Sequence, residues 1–133
     1  MPKEVIRPSG FYDPSPLAYS HAVKVGDVVY LAGQLAVEGS GQKIVGAGDV
    51  VVQTRQIFAN MAKIVESAGG GLAEIVQMTV FLKNIKDLPS FLEVRKEVFK
   101  KDFPASTAVQ VVGFAAPEAL VEVNAVAVID SHS

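Results

Sequence analysis

Cysteine is absent from this sequence, which rules out disulfides, thiol nucleophiles and thiolate metal sites. Histidine is scarce: His21 and His132 stand far apart, neither beside a carboxylate pair, so no metal and no other cofactor is expected. No apolar run approaches the roughly 18–20 residues that a membrane span needs, and charges recur throughout, so no membrane partner is expected. The opening MPKEVIRPSG has no apolar core of a secretory signal, which makes the cytoplasm the expected compartment. Lysine and arginine form no run longer than Lys100-Lys101, and the formal net charge is −2, so nucleic acid is not an expected partner. Missing too are Gly-x-Ser-x-Gly, His-Glu-x-x-His and any dinucleotide fingerprint. Gly69-Gly70-Gly71 follows a helical pattern and precedes no Lys-Ser/Thr, so it reads as a helix stop and not a phosphate cradle.

What remains is an apolar chain. Of 133 residues, 50% are hydrophobic and 20% charged, without repeats or a linker-like stretch. That fits a single domain over residues 1–133, burying about two-thirds of its unfolded surface. Pro8 to Pro16, rich in turn formers and aromatics, is expected to lie over the surface as an ordered loop. His21–Val25 and Val28–Leu35, joined at Gly26-Asp27, read as a hairpin. A Gly-rich connection, Gly39–Gly48, follows. Asp49 is the expected N-cap of a helix running to about Ala68, with Thr54, Ile57, Phe58, Met61 and Val65 on its apolar face. Its Gln53, Arg55, Gln56 and Asn60 are expected to face solvent.

Glu74–Leu82 reads as a strand, and Asp87-Leu88-Pro89 opens a second helix whose stripe is Phe91, Val94, Val98 and Phe99. Strands are expected at Thr107–Val112 and Ala119–Ile129. The order β-β-α-β-α-β-β gives an α+β fold with two helices on one face of a mixed sheet. The last strand is apolar at its odd positions, Val121 to Ile129, and largely so at its even ones, Leu120, Val126 and Val128. Helices on one face leave the second apolar face without a cover, and self-association is the simplest supply of one.

Glu122 is the strongest chemical signal, a carboxylate inside an apolar strand. Burial would raise its pKa toward the range useful for proton transfer or for orienting water; a structural, hydrogen-bonded carboxylate is the alternative. Tyr19 is either an amphipathic residue at a strand edge or a hydroxyl offered to a ligand. Gly33 marks either a bulge or a close ligand approach. Ser106 and Thr107 either cap local backbone or contact a ligand. Arg95 lies one helical turn after Leu92, and is either solvated or turned toward the same cleft as that face. His21 reads as structural or solvated.

The segment from Phe103 to Val128, FPASTAVQVVGFAAPEALVEVNAVAV, resembles the C-terminal signature of the Rid family, the enamine/imine deaminases also called YjgF-like proteins. Tyr19, Ala32-Gly33-Gln34, Gln53-Thr54-Arg55-Gln56 and Thr79-Val80-Phe81-Leu82 extend the resemblance along nearly the whole chain. It implies a chorismate mutase-like homotrimer whose sheets face one another, with a small-molecule cleft at each subunit junction. Glu122 matches the glutamate thought to position the hydrolytic water, and Tyr19 the tyrosine that lines the cleft. Backbone N–H groups near Ala108 would hold an anion or carbonyl, and Leu92 aligns near a cleft-facing asparagine. Where deaminating members carry an arginine that grips the substrate carboxylate, this chain has Ser106, so the resemblance places it in a subgroup without that residue. Two functions are implied: hydrolysis of a C=N bond, or non-catalytic capture of a small metabolite in the same cleft.

Overall fold

The computed structural model describes residues 1–38, 40–41 and 43–131, so Gly39 at the head of the Gly-rich connection and His132 lie outside them. Among the described residues the strands and α-helices run β1 Lys3–Ile6, β2 Ala22–Val25, β3 Val28–Gln34, α1 Val50–Ser67, β4 Ile75–Leu82, α2 Leu88–Phe99, β5 Ala105–Gln110 and β6 Val121–Val128. The strands form one sheet in the order β1-β2-β3-β6-β4-β5. Neighbours are antiparallel except β4 and β5, which run parallel and are connected through α2. The α+β reading with a mixed sheet and two helices is therefore correct.

Two strand assignments change. β1 was not anticipated from the sequence, because Lys-Glu-Val-Ile buries only its last residue and sits at a sheet edge, where no alternation is imposed. β5 begins two residues before the expected Thr107 and ends at Gln110. Its pattern carries no fully buried residue, so hydrophobicity could not fix its ends; its pairing with β4, Gln77 opposite Ala105, does.

The helices form because their ends are signalled and one face is apolar. The Asp49 carboxylate accepts from the Val51 and Val52 N–H groups at 3.0 and 3.1 Å, capping α1. Ile57, Phe58, Met61, Ile64 and Val65 are fully buried beneath it. Gly69, at φ 99°, supplies the left-handed turn that ends the helix. In α2, Phe91 and Val94 are buried, with Val98 and Phe99 packed at the core's margin. On β6 the odd residues Val121, Val123, Ala125 and Ala127 are buried against the helices, while the even residues are half-buried on the open face.

The solvent face expected for α1 is partly a structural seam. Gln53 and Asn60 are buried, because both side chains tie backbone groups that no strand satisfies. Gln53 Nε2 donates to the Gly46 and Glu118 carbonyls at 3.1 and 3.0 Å, and its Oε1 accepts from the Leu120 N–H at 2.8 Å. Asn60 Nδ2 donates to the Val37 carbonyl at 2.7 Å. Only Arg55, paired with Glu97 across 2.9 Å, behaves as an exposed surface residue. Gln53→Ala strands three backbone groups at once and is expected to lower stability by about 2–4 kcal/mol in denaturant unfolding. A loss below about 0.5 kcal/mol would remove the seam from the fold's energetics.

Candidate functional site

Glu122 projects from the open face of β6, opposite Phe81 of β4. It is half-buried, its carboxylate accepts no hydrogen bond among the described residues, and burial pushes it above the ordinary carboxylate value. On the other side of β6, the pairing with β3 slips between Leu31 and Gln34, a bulge that contains Ala32 and Gly33. The bulge brings the Gly33 backbone under the Glu122 side chain. A Cβ at Gly33 would overlap the carboxylate oxygen and lie 3.0 Å from its carbon. The bulge reading of Gly33 therefore holds, and the group packed closely on it is the Glu122 side chain.

Tyr19 is at the mouth of the same space, and its hydroxyl is hydrogen-bonded to that of Tyr12. Burial, then the Tyr12 bond, then the nearby Glu122 carboxylate hold the Tyr19 phenol well above its ordinary value. Tyr19 therefore acts as a neutral hydroxyl near neutral pH and not as a phenolate base. His21 is buried behind the pair, edge-on to Phe11, Tyr12 and Tyr19. Its Nε2 lies 2.8 Å from the Tyr12 carbonyl; a carbonyl only accepts, so Nε2 carries the proton. His21 bolts the aromatic loop to β2. Together Tyr12, Tyr19, Gly33, Pro117 and Glu122 line a cavity of about 500 Å³, within the size range of small-metabolite sites.

Tyr12 and the Ala115–Pro117 loop are among the parts of this cavity that the sequence did not flag as site residues. The aromatic loop was legible as ordered, but nothing in its composition says that Tyr12 folds back onto Tyr19. Gly33→Ala should keep the fold and swing the flexible Glu122 side chain aside. If Glu122 does the chemistry, steady-state turnover should fall about 10²-fold, as for a misplaced reacting group; unchanged turnover would separate the bulge from the chemistry.

A second polar group lies at the other end of the sheet. Ser106 shares the helix-side face of the sheet with Met78, its partner on β4. Arg95 of α2 reaches it: Nη1 donates to Ser106 Oγ at 2.6 Å, and the guanidinium carbon stands 5.3 Å from the centre of the buried Phe91 ring. Arg95 is thus folded onto Ser106 and is not a freely solvated side chain. Leu92, one turn earlier, is 38% exposed on the same helix. The Val111 N–H donates to the Leu82 carbonyl at 2.8 Å, so by alternation Thr107 turns its main chain toward β4. Ser106 and Ala108 then present theirs to the free edge of β5.

The two groups do not meet within one chain. Glu122 and Val109 both flank Phe81, and Ser106 lies three residues further along β5. Two strand spacings and three residues separate them by about 14 Å, on opposite faces of the sheet. Among the described residues no cluster of His, Asp or Glu is arranged to hold a metal ion, and no helix is long and apolar enough to cross a membrane.

Residues 13–129 match the model of the family described as Endoribonuclease L-PSP. The chain is 38% identical over 128 residues to 3-aminoacrylate deaminase RutC of Acinetobacter baylyi, covering 96% of this chain and 98% of that one. It is 35% identical over 118 residues to 2-iminobutanoate/2-iminopropanoate deaminase of Dermatophagoides farinae, covering 88% and 91%. Among solved structures, a Rid-family protein of unknown function from Yersinia pestis superposes with a TM-score of 0.87 at 27% identity, covering 96% and 100%. RidA from an Antarctic Psychrobacter gives 0.80 at 33% identity, covering 84% and 89%.

Proposed function

This chain belongs to the Endoribonuclease L-PSP family, the YjgF or Rid family, and from that premise we propose that it is a hydrolytic deaminase of a small imine or enamine. The observation that carries the proposal is Glu122: a carboxylate without a hydrogen-bond partner among the described residues, raised by burial, beside the Gly33 bulge and a neutral Tyr19 hydroxyl. Water held by Glu122 adds its oxygen to the C=N carbon and gives a proton to the carboxylate. Glu122 passes that proton to the nitrogen, to which the Tyr19 O–H hydrogen-bonds. It then carries the adduct's remaining hydroxyl proton across as well, so that the C=O forms, the C–N bond breaks and ammonia leaves. An enamine enters the same course after tautomerising to its imine.

The working cleft is shared between protomers of a homotrimer in the cytoplasm. One chain supplies Glu122, Tyr19 and Gly33; its neighbour supplies Ser106, Thr107, Ala108 and the Leu92–Arg95 face of α2. The gap of about 14 Å within a chain supports this, since a small metabolite cannot bridge it. So does the open sheet face, where Tyr30 is 53% and Val109 39% exposed, beside half-buried Phe81, Val126 and Val128. Position 106, where deaminating relatives carry an arginine, is serine here. Activity on α-imino acids therefore depends on whether another cation reaches the cleft.

The test is to generate 2-iminobutanoate and 3-aminoacrylate in the cuvette and follow ammonia release with and without protein. Acceleration of at least one is the expected result. Acceleration of neither by a folded oligomer overturns the deaminase and favours the second reading, a non-catalytic small-metabolite binder, to which Ser106 in place of arginine lends support.

A further inference from the structure

We infer that Arg95 is the specificity-determining residue of this cleft: its guanidinium, aimed by Ser106, binds the carboxylate of the ligand at the free edge of β5. The inference rests on the deaminase reading and names the substrate class within it, imines or enamines that carry a carboxylate. The cation comes from the helix layer, not from position 106.

Several independent features meet at this corner. Phe91 is completely buried, so its ring is a fixed platform under the guanidinium. The 2.6 Å bond to Ser106 Oγ fixes one arm of the fork. Among the described residues no carboxylate pairs with Arg95, whereas Arg55 is paired with Glu97. Arg95 is half-buried, and that burial lowers its pKa, the mark of a charge desolvated without compensation. A half-desolvated guanidinium with four N–H groups to spare is a preformed seat for a planar anion.

Ser106 is more than a placeholder. Its oxygen accepts from Arg95, which leaves its own O–H free to donate outward. The Ala108 main chain turns to the same edge by the β4–β5 alternation. A carboxylate here meets the fork, the serine hydroxyl and one backbone N–H, while exposed Leu92 forms an apolar wall one turn away. The arrangement also inverts a simple expectation from the family pattern. Ser106→Arg would set a second guanidinium against the first, so it should weaken carboxylate binding instead of installing it.

The experiment is an NMR titration with 2-oxobutanoate, which keeps the carboxylate and carries no labile nitrogen, and with neutral 2-butanone as control. Native protein, Arg95→Met, Arg95→Lys, Ser106→Arg and Glu122→Gln are compared, with assembly state and circular dichroism checked for each. Arg95→Met should weaken 2-oxobutanoate binding by about 10- to 100-fold. Arg95→Lys should recover part of the loss, Ser106→Arg should weaken binding, Glu122→Gln should retain it, and 2-butanone should not respond to position 95. In turnover assays Arg95→Met should raise KM more than it lowers kcat. Native-like affinity in a folded Arg95→Met variant, or no binding of 2-oxobutanoate to native protein at millimolar concentrations, overturns the inference. Arg95-dependent binding without turnover of either substrate would sink the deaminase reading and leave the anion site standing. Turnover whose KM ignores Arg95 would do the reverse.

Discussion

Glu122→Gln should reduce ammonia release from the substrate by about 10²–10⁴-fold, the usual contribution of a positioned acid or base, while the protein stays folded and assembled. The amide matches the carboxylate in shape and still fits over Gly33, but it cannot take a proton from water. Two further consequences have definite signs. Folding raises the Glu122 pKa above its ordinary 4.5, so the native state holds this proton more tightly than the unfolded chain does. Glu122 therefore favours folding most at low pH, and that advantage is lost as pH rises from the unfolded value through the folded one. At neutral pH, where the native carboxylate is ionised and partly desolvated, Glu122→Gln should unfold at the same temperature as native protein or slightly higher. Catalysis runs the other way: native turnover should fall on acidification, with its midpoint above 4.5. A variant with native turnover, or one that loses activity only because it unfolds, would remove Glu122 from the chemistry.

The second large effect is expected from the open face. Val126 is a half-buried even residue of β6, opposite Tyr30 on β3. Val126→Lys should leave the helix-side core intact, because its neighbours Ala125 and Ala127 point the other way. In the proposed trimer, however, three lysines would be driven without partners into an apolar contact, a cost of several kcal/mol per buried charge. Sedimentation should report monomers, circular dichroism should remain native-like, and turnover should fall to background because no cleft is complete. A Val126→Lys variant that stays trimeric would place the subunit contact elsewhere.

How much of this was legible beforehand varied with the physics of each element. Period-2 burial on β6 and helical spacing on α1 are imposed by a core, so both could be read directly, down to the odd residues that face the helices. β1 and the ends of β5 belong to sheet edges, where no buried face constrains the residue types. Gln53 and Asn60 misled for a different reason. A polar residue on a helix normally marks solvent, but these two satisfy backbone groups of neighbouring loops, which only the tertiary arrangement brings near. At the site, Glu122 and Gly33 were visible as a charge out of place and a glycine in a strand. Their mutual contact depends on the β3 bulge, a register slip with no compositional marker. Tyr12 was hidden because it meets Tyr19 through loop geometry. Arg95 was visible as a helical neighbour of Leu92, yet the spacing did not distinguish a solvated side chain from one folded onto Ser106.

The central claim is that each working cleft joins the Glu122 group of one chain to the Arg95–Ser106 group of another. Mixing Glu122→Gln chains with Arg95→Met chains, unfolding and co-refolding them, tests it most directly. Each variant alone is impaired, but a mixed oligomer contains clefts in which both intact groups meet. Random assortment of equal amounts should restore about a quarter of native activity at low substrate concentration. If both groups instead serve one site within a single chain, no cleft in the mixture is intact, and activity will not exceed the average of the two variants measured alone.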